Sequence, residues 1–239
     1  GGNSTKADSV GVQPMKAMLL AAGLGTRLRP LTDRLPKPLL QAGTATLIEH
    51  QLYRLKAAGF REVVINLHYL GHLIEEQIGD GFELGLRIHY SREAELLETG
   101  GGIKAALEFL GDKPFAVISA DVYLDMDYTS LPGDLPEGSL GCLIMVPNPK
   151  HHPDGDFSLQ GGRLCRDGVK MTYSGISVLS PELVRDVESE AFKLRQVFEA
   201  AIDARRLHGV AFHGYWCDVG TVERYEGLKK HLSSHGPAE

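Results

Sequence analysis

A short stretch near the start of the chain combines backbone flexibility with side chains that bind anions. Gly23 and Gly25 let backbone N–H groups approach a ligand closely, Thr26 adds a hydroxyl, and Arg27 and Lys37 add cations. The glycines are followed neither by Gly-Lys-Ser/Thr nor by the G-x-G-x-x-G spacing, so this is not a Walker loop or a dinucleotide fingerprint. The combination predicts a cradle for a triphosphate. The glycines alone also fit an ordinary strand-to-helix turn with surface cations.

The elements that must position this loop alternate between strand and helix patterns. Four apolar runs predict strands at Lys16–Ala21, Glu62–Asn66, Leu86–Tyr90 and Pro114–Ser119. The segments between them predict helices at Thr46–Ala58, around Leu73–Ile78 and at Ile103–Leu110. This order predicts a parallel sheet with helices on both faces, which binds ligands beyond the carboxyl ends of its strands. The glycine loop, Thr99–Gly102 and Asp121 all follow such ends.

The second half of the chain is richer in strands. Strands are predicted at Leu140–Val146, Phe157–Gln160, Met171–Leu179 and Val210–Trp216, and helices after Ser180, at Leu194–Arg205 and at Thr221–Leu232. No repeat or linker separates the halves. We therefore expect one α/β domain over residues 15–235, with a nucleotide half at about 15–125 and an acceptor half at about 126–235. Residues 1–14 are small and polar and lack the apolar core of a signal peptide, and we expect them to be an artificial extension or a disordered leader, with Met15 as the natural start.

Composition excludes several classes of protein. The chain has 239 residues, 43% of them hydrophobic and 23% charged, which is typical of a globular protein and not of a disordered one. Its net charge of −6 argues against a nucleic-acid partner, and no apolar run is long enough for a membrane span. Three cysteines without a CxxC pair favour a reducing, cytoplasmic compartment. Residues 15–40 carry five basic side chains against one carboxylate, which favours a compact anionic ligand.

The glycine loop resembles the signature of the sugar-phosphate nucleotidylyltransferases. Residues 23–38 match G-x-G-T-R-L-x-P-L-T-x-x-x-P-K-P. The resemblance implies a Rossmann-like, mixed but mainly parallel sheet flanked by helices, the nucleotide-diphospho-sugar transferase fold. It also implies a reaction that joins an NTP to a sugar 1-phosphate and releases pyrophosphate. By the same resemblance, Arg27 holds the leaving pyrophosphate, Lys37 contacts the phosphate under attack, and a second glycine turn with Gly100 and Gly101 reads the base. The alternative for these two glycines is a glycine-rich start of a helix.

Two aspartates resemble the pair that holds Mg²⁺, or Mn²⁺, in this family. Asp121 closes a predicted strand, and Asp218 precedes the last helix. A hard, oxygen-ligated cation would reduce the repulsion between the two substrate anions. The alternative for Asp218 is a cap on the helix that starts near Thr221. The family usually has Asn-Gly or a similar pair before the first aspartate, whereas this chain has Ser119-Ala120.

The acceptor half resembles the members that use N-acetylmuramate 1-phosphate and UTP in cell-wall recycling. The resemblance implies that Asp156 contacts the sugar, that Ser174 and Gly175 line it, and that Lys193 faces its phosphate or lactyl carboxylate. The small glycine turn offers no side chain to recognise a purine, which favours UTP or dTTP. His151 and His152 are expected in a solvated loop with no part in proton transfer, because a sugar phosphate is already ionised.

Two other functions remain open at this stage. One is the transfer of a nucleotide from GTP or dTTP to mannose 1-phosphate or glucose 1-phosphate. The other is a non-catalytic, nucleotide-sensing regulator, against which the joint presence of Arg27, Lys37, Asp121 and Asp218 argues. We expect small-molecule substrates only, without a nucleic-acid or membrane partner, and a monomer or weak dimer.

Overall fold

A twisted sheet of nine strands forms the centre of the computed structural model, which describes residues 14–235. Two further pairs of strands, β2 with β3 and β7 with β13, lie outside this sheet. In chain order the strands of the described residues are β1 Ala17–Leu20, β2 Gln41–Ala42, β3 Ala45–Thr46, β4 Glu62–Leu67, β5 Arg87–Arg92, β6 Phe115–Ser119, β7 Val122–Leu124, β8 Gly141–Val146, β9 Phe157–Gln160, β10 Arg163–Cys165, β11 Lys170–Leu179, β12 Leu207–Ala211 and β13 Trp216–Asp218. The helices are α1 Leu47–Ala57, α2 Gly71–Ile78, α3 Glu98–Ala105, α4 Leu107–Leu110, α5 Glu182–Arg185, α6 Leu194–Asp203 and α7 Val222–His235. Residues 1–13 of the predicted leader lie outside the described residues.

The strand order confirms the predicted fold, a mixed and mainly parallel sheet within one domain. The order is β5-β4-β1-β6-β11-β8-β12-β10-β9. The strands β5, β4, β1 and β6 run parallel, β11 is antiparallel to β6 and β8 on either side, and β12 is parallel to β8. The carboxyl ends of β1, β4 and β6 therefore share one edge, where the sequence places the glycine loop and Asp121.

Apolar side chains cover both faces of the sheet, because alternate residues of each strand point to opposite sides. In β1, Leu19 belongs to the cluster under α1 and α2, whereas Met18 belongs to the cluster under α3 and α6. Both side chains are fully buried. This continuous apolar layering fixes the register of β1, whose end carries the glycine loop.

The predicted capping box of α1 is present. Thr46 accepts a hydrogen bond from the Glu49 backbone N–H, and the Glu49 carboxylate accepts one from the Thr46 N–H at 3.1 Å. The helix ends at Ala57, and Gly59 follows with φ +90°, the conformation that stops a helix at low cost.

Two predicted elements differ from the structure. The segment Val210–Trp216 is not one strand, because β12 ends at Ala211 and β13 begins at Trp216 and pairs with β7 outside the main sheet. The helix predicted at Ile103–Leu110 starts earlier, at Glu98, and is interrupted at Ala106. No helix among residues 14–235 is both long and apolar enough to cross a membrane.

Candidate active site

Two adjoining cavities form one cleft along the carboxyl edge of the sheet. The smaller lies beside the glycine loop and has a volume of about 700 Å³, and the larger lies beside β11 and α6 and has a volume of about 1400 Å³, both including the solvent at their open mouths. Their shared lining residues are Leu20, Glu98, Thr99, Ser119 and Asp121. A cleft of this size accommodates two small substrates side by side, with Asp121 at the boundary.

The glycine loop is held in shape by bonds from neighbouring elements. Gly25 has φ +63°, a left-handed conformation that glycine adopts without strain. The Thr32 hydroxyl donates to the Gly25 carbonyl at 2.6 Å. At the end of β4, the Asn66 side-chain oxygen accepts the Ala21 N–H at 2.7 Å. The loop is therefore preorganised before a ligand binds.

The predicted phosphate ligands lie on different parts of the cleft. Gly23 lines the smaller cavity, and a methyl group at its Cα would meet open space. Arg27 is exposed, lines the larger cavity, and has its guanidinium beside Gly220. Thr26 is exposed in the same turn but lines neither cavity. Gly23 and Arg27 therefore flank the cleft on either side of Asp121.

Lys37 and Asp121 form an ion pair in the floor of the cleft. The Lys37 ammonium donates to Asp121 Oδ2 at 3.0 Å, and the Ser119 hydroxyl donates to Oδ1 at 2.6 Å. Burial raises the pKa of the Asp121 carboxyl, but the Lys37 charge and the Ser119 hydrogen bond outweigh it, and the pKa lies below its ordinary value. Asp121 is therefore ionised at neutral pH. Ser119, where the family usually has another residue, orients this carboxylate.

A short two-stranded ribbon brings Asp218 to Asp121. The strands β7 and β13 pair antiparallel, with Asp218 opposite Val122. The Val219 N–H donates to the Asp121 carbonyl at 2.8 Å, immediately beside the ribbon. Both aspartates line the larger cavity. The structure thus brings together two carboxylates that lie about a hundred residues apart in the sequence.

The Asp218 side chain has an incomplete set of partners. Oδ2 lies 3.0 Å from His151 Nε2, and the Arg224 guanidinium lies 3.4 Å from Oδ1 and donates to the Asp218 carbonyl at 2.9 Å. Oδ1 is buried and makes no hydrogen bond among the described residues. An alternative role for Asp218 as a helix cap is wrong, because the Thr221 hydroxyl accepts the Arg224 N–H and caps α7.

The two aspartates fit a hard divalent cation that is shared with substrate. No group of three or more His, Cys, Asp or Glu side chains within residues 14–235 is arranged to hold a metal ion. Mg²⁺ commonly takes one or two carboxylates and completes its shell with water and phosphate oxygens. The buried and unbonded Asp218 Oδ1 is a carboxylate oxygen that such an ion would satisfy. The residues therefore fit Mg²⁺ or Mn²⁺ bound together with a phosphate group.

The predicted acceptor residues all line the larger cavity, but their surroundings differ. Asp156 is largely buried and accepts hydrogen bonds from the Tyr173 N–H and from Arg195, both at 2.8 Å. Ser174 is buried, and its hydroxyl accepts the Ile176 N–H at 3.1 Å. These bonds show that Asp156 and Ser174 shape the cavity wall.

Gly175 lies tightly against a neighbouring strand, whereas the Lys193 side chain is exposed at the cavity. Gly175 has φ +89° at an irregularity in β11, and a Cβ there would lie 3.0 Å from the Ser119 Cβ. A larger residue would therefore press on the serine that orients Asp121. The exposed Lys193 precedes α6, and its ammonium has no partner among the residues that the structure describes. It is available to an anionic group in the cavity.

The second glycine segment is not the predicted turn but the start of α3. The N–H groups of Gly100 and Gly101 both donate to the Phe192 carbonyl, at 2.9 and 3.1 Å. A Cβ at either residue would collide with the segment Glu190–Phe192. Neither glycine lines the smaller or the larger cavity. These glycines allow close packing between the two halves, and this geometry gives no support to a contact with the base.

Sequence reasoning missed three side chains of the larger cavity. His151 and His152 do not lie in a merely solvated loop, because their rings contact Asp218 and Asp156, each at 3.0 Å. Arg195 spans Asp156 and Glu199. The i, i+4 spacing of His152 and Asp156 was a visible signal. The pair of His151 and Asp218, 67 residues apart, left no local pattern.

Comparison with known proteins identifies the family of the chain. Residues 16–153 match the nucleotidyl transferase family. The chain is 46% identical over 219 residues to N-acetylmuramate alpha-1-phosphate uridylyltransferase of Neisseria meningitidis, covering 88% of this chain and 95% of the relative. It is 31% identical to mannose-1-phosphate guanyltransferase of Schizosaccharomyces pombe, covering 92% of this chain and 65% of that protein.

A solved structure of UDP-glucose pyrophosphorylase complexed with UDP-glucose superposes with a TM-score of 0.75 at 18% identity, covering 93% of this chain and 99% of the other. At this low identity the superposition supports the fold alone. The matched family, the extent of the sequence similarity and the shared fold lead to the same conclusion. The chain belongs to the nucleotidyl transferase family, as a sugar-1-phosphate nucleotidylyltransferase.

Proposed function

We propose that this enzyme transfers a uridylyl group from UTP to N-acetylmuramate 1-phosphate, giving the UDP-sugar and pyrophosphate. The observation that carries the proposal is the continuous cleft, in which the glycine loop and the acceptor wall meet at Asp121. The uridylyltransferase of N. meningitidis, similar over nearly its whole length, supports this acceptor and UTP. The physiological role would be peptidoglycan recycling in the cytoplasm.

The reaction requires no proton acceptor on the protein. A phosphate oxygen of the sugar 1-phosphate attacks the α-phosphorus of UTP, and the bond from that phosphorus to the β-phosphate oxygen breaks. The electron pair leaves with pyrophosphate. The attacking oxygen is already ionised near neutral pH, so no histidine of the cleft is needed as a base. The task of the site is to hold two anions in line and to stabilise the charge that develops between them.

Lys37 is the cation best placed for this task. Its side chain is 13% exposed and its ammonium is held by Asp121, so the charge has little freedom to move when substrates bind. A preorganised cation stabilises a transition state without the cost of reorienting solvent. Arg27, exposed at the larger cavity, would attract the leaving pyrophosphate.

Asp121 and Asp218 would hold Mg²⁺ or Mn²⁺ together with substrate phosphate oxygens. The bound ion would supply Lewis-acid stabilisation to the phosphate charges. The chain's own contribution is to fix both carboxylates, Asp121 through Lys37 and Ser119 and Asp218 through Arg224.

The acceptor would lie in the larger cavity. Lys193 would face its phosphate or carboxylate group, Gly175 would leave room beside Ser119, and Ser174 and Asp156 would form the wall. Transfer to mannose 1-phosphate from GTP is the second candidate, supported by the more distant similarity to the S. pombe enzyme. A non-catalytic sensor is disfavoured because the ion pair and both aspartates converge on one cleft. A monomer or weak dimer remains our expectation.

The test is a pyrophosphate-release assay with ATP, GTP, UTP and dTTP against a panel of sugar 1-phosphates. We expect release with UTP and N-acetylmuramate 1-phosphate, and its abolition by EDTA with recovery on addition of Mg²⁺. Faster release with GTP and mannose 1-phosphate would transfer the assignment to the second candidate. Absence of release from every pair, with nucleotide binding retained, would favour the sensor.

A further inference from the structure

One residue of the cleft has an unusual backbone conformation. Glu98 has φ +61°, in the left-handed region that non-glycine residues seldom adopt. Two other non-glycine residues within the described chain have positive φ, Leu70 and Arg205, and neither lines the smaller or the larger cavity. Glu98 lines both. Backbone strain of this kind is concentrated at functional sites.

The surroundings of Glu98 impose this conformation from both sides. Before it, the Leu97 N–H donates to the buried Glu93 carboxylate at 3.1 Å. After it, the Thr99 hydroxyl accepts the Leu194 N–H at 2.9 Å, and the Gly100 N–H donates to Phe192. The chain is therefore fixed on either side of residue 98. A glycine would satisfy the same backbone at lower cost, so the side chain needs another explanation.

The Glu98 carboxylate is available to a ligand. It is exposed at the junction of the two cavities and makes no hydrogen bond or ion pair with any residue in the range 14–235. The other residues that line both cavities are Leu20, Thr99, Ser119 and Asp121, and none of them is a cation. The one nearby lysine of the smaller cavity, Lys37, is paired with Asp121.

The chemistry of a free carboxylate restricts its partner. An ionised carboxylate only accepts hydrogen bonds, and it repels phosphate groups. In a cleft for a nucleotide and a sugar phosphate, the neutral donors are hydroxyl groups, the N–H groups of the base and the N–H of an acetamido group. Hydroxyl groups are the donors that the ribose and every sugar 1-phosphate have in common. We propose that Glu98 is a specificity-determining residue that accepts a hydrogen bond from a substrate hydroxyl, on the ribose or on the acceptor sugar. This inference rests on the proposed function of the cleft.

Two substitutions separate the side chain from the backbone strain. Glu98→Gly removes the carboxylate and relieves the left-handed conformation, so we expect unfolding at a temperature no lower than that of the parent. We expect its kcat/KM to fall at least about tenfold, the scale of one hydrogen bond to a charged group. Glu98→Gln keeps the shape and an accepting oxygen but loses the charge, and an intermediate loss is expected.

The matched control is Arg205→Gly, at φ +58° outside both cavities. It relieves the same kind of strain, and we expect its kinetics to equal those of the parent. Kinetics with 2′-deoxyUTP identify the source of the hydroxyl. A ribose partner predicts that the parent prefers UTP to 2′-deoxyUTP and that Glu98→Gly loses the preference. An acceptor partner predicts an unchanged preference and a raised KM for the sugar 1-phosphate.

The proposal is overturned if Glu98→Gly folds and both substrates retain KM and kcat/KM within about threefold of the parent. Parent turnover is measured first, so that an inactive parent counts against the proposed function alone. In that case, calorimetric affinities of parent and variant for UTP and for N-acetylmuramate 1-phosphate, with Mg²⁺, still test Glu98. Equal affinities for both ligands would overturn its role.

Discussion

The ion pair between Lys37 and Asp121 places a fixed positive charge where two substrate phosphates would meet. The pair lies at the boundary of the two cavities, and the lysine side chain is 13% exposed. Water therefore screens the charge poorly, and its electrostatic interaction with a phosphate is stronger than that of a lysine on the surface. This arrangement accounts for the proline-flanked lysine of the sequence signature.

Replacing Lys37 by alanine tests its role in turnover. We expect Lys37→Ala to reduce kcat at least about a hundredfold, because one preorganised electrostatic contact is lost, while the fold is retained. Pyrophosphate release and thermal unfolding measure the two effects. The control is Lys113→Ala, an exposed lysine outside both cavities, which should behave as the parent. Release by Lys37→Ala within about threefold of the parent contradicts the assignment.

Asp218→Asn tests the second carboxylate without changing its shape. The Thr221 hydroxyl caps α7, so the substitution leaves the helix intact and thermal stability close to that of the parent. We expect activity to fall at least about a hundredfold and the affinity for Mn²⁺, measured by electron paramagnetic resonance with nucleotide present, to fall with it. Asp112→Asn, on an exposed turn, is the control. Unchanged Mn²⁺ affinity in Asp218→Asn would remove Asp218 from the metal site.

At this scale, the sequence predicted the members of the site better than their contacts. Lys37, Asp121 and Asp218 were found from a local signature and from their positions beside predicted strands and helices. The bond between His151 and Asp218 was missed because it depends on a fold that brings together residues far apart in the sequence. The positive φ of Glu98 was missed because a glutamate does not indicate a left-handed backbone conformation.

At the scale of elements, local sequence patterns predicted helix and strand boundaries correctly where the contacts that stabilise the element are also local. The helix α1 was predicted with its capping box because Thr46 and Glu49 interact within one turn. The start of α3 was missed because three consecutive glycines disfavour a helix, and only the packing of Gly100 and Gly101 against Glu190–Phe192 compensates. The strand β13 was misplaced because its partner β7 lies outside the main sheet.

The capping box has a measurable consequence for stability. We expect Thr46→Ala to lower the free energy of unfolding by about 1 kcal/mol, measured by urea denaturation at pH 7. Burial raises the pKa of Glu49, but the hydrogen bonds from Thr46 outweigh it and the pKa lies below its ordinary value. A lowered folded pKa stabilises at neutral pH, and this contribution is lost as the pH falls through that pKa.

The difference in unfolding free energy between parent and Thr46→Ala should therefore narrow as the pH falls through the lowered pKa of Glu49, since protonated Glu49 no longer accepts a charge-assisted bond. Ala57→Gly, at an exposed position of the same helix, is the control: it weakens the helix through its propensity and has no contact with the box, so its effect on the free energy of unfolding should not vary with pH. A Thr46→Ala difference that stays constant with pH, or is absent at pH 7, would show that the box contributes little.

At the scale of the whole molecule, the site depends on β11, which runs antiparallel to both of its neighbours, β6 and β8. The strand β11 joins the parallel β5-β4-β1-β6 half to β8 and β12. Its irregularity at Gly175 lies against Ser119, at the end of β6. The nucleotide loop follows β1 and the acceptor wall is on β11, and the strand between them in the sheet is β6, whose end leads to Asp121. This order explains why the cleft is continuous.

The fold class followed from the order of strand and helix patterns, but this junction did not. An antiparallel strand inserted between two parallel sets produces no distinctive local sequence, and the predicted boundaries of β11 differ from the observed ones by one residue only. The pairing of β11 with β6 and β8 depends on how all the strands of the sheet are arranged. The composition of the acceptor wall was therefore predictable through resemblance to relatives and not from pattern alone.

A competition experiment tests the proposed choice of UTP and N-acetylmuramate 1-phosphate over the other substrates. The enzyme is incubated with Mg²⁺ and equal concentrations of UTP, GTP, dTTP and ATP, together with equal concentrations of N-acetylmuramate 1-phosphate, mannose 1-phosphate and glucose 1-phosphate. Mass spectrometry of the initial products measures the ratio of kcat/KM values in one reaction. We expect UDP-N-acetylmuramate to exceed every other nucleotide sugar by at least about tenfold. Predominance of GDP-mannose or a thymidine sugar nucleotide would contradict it.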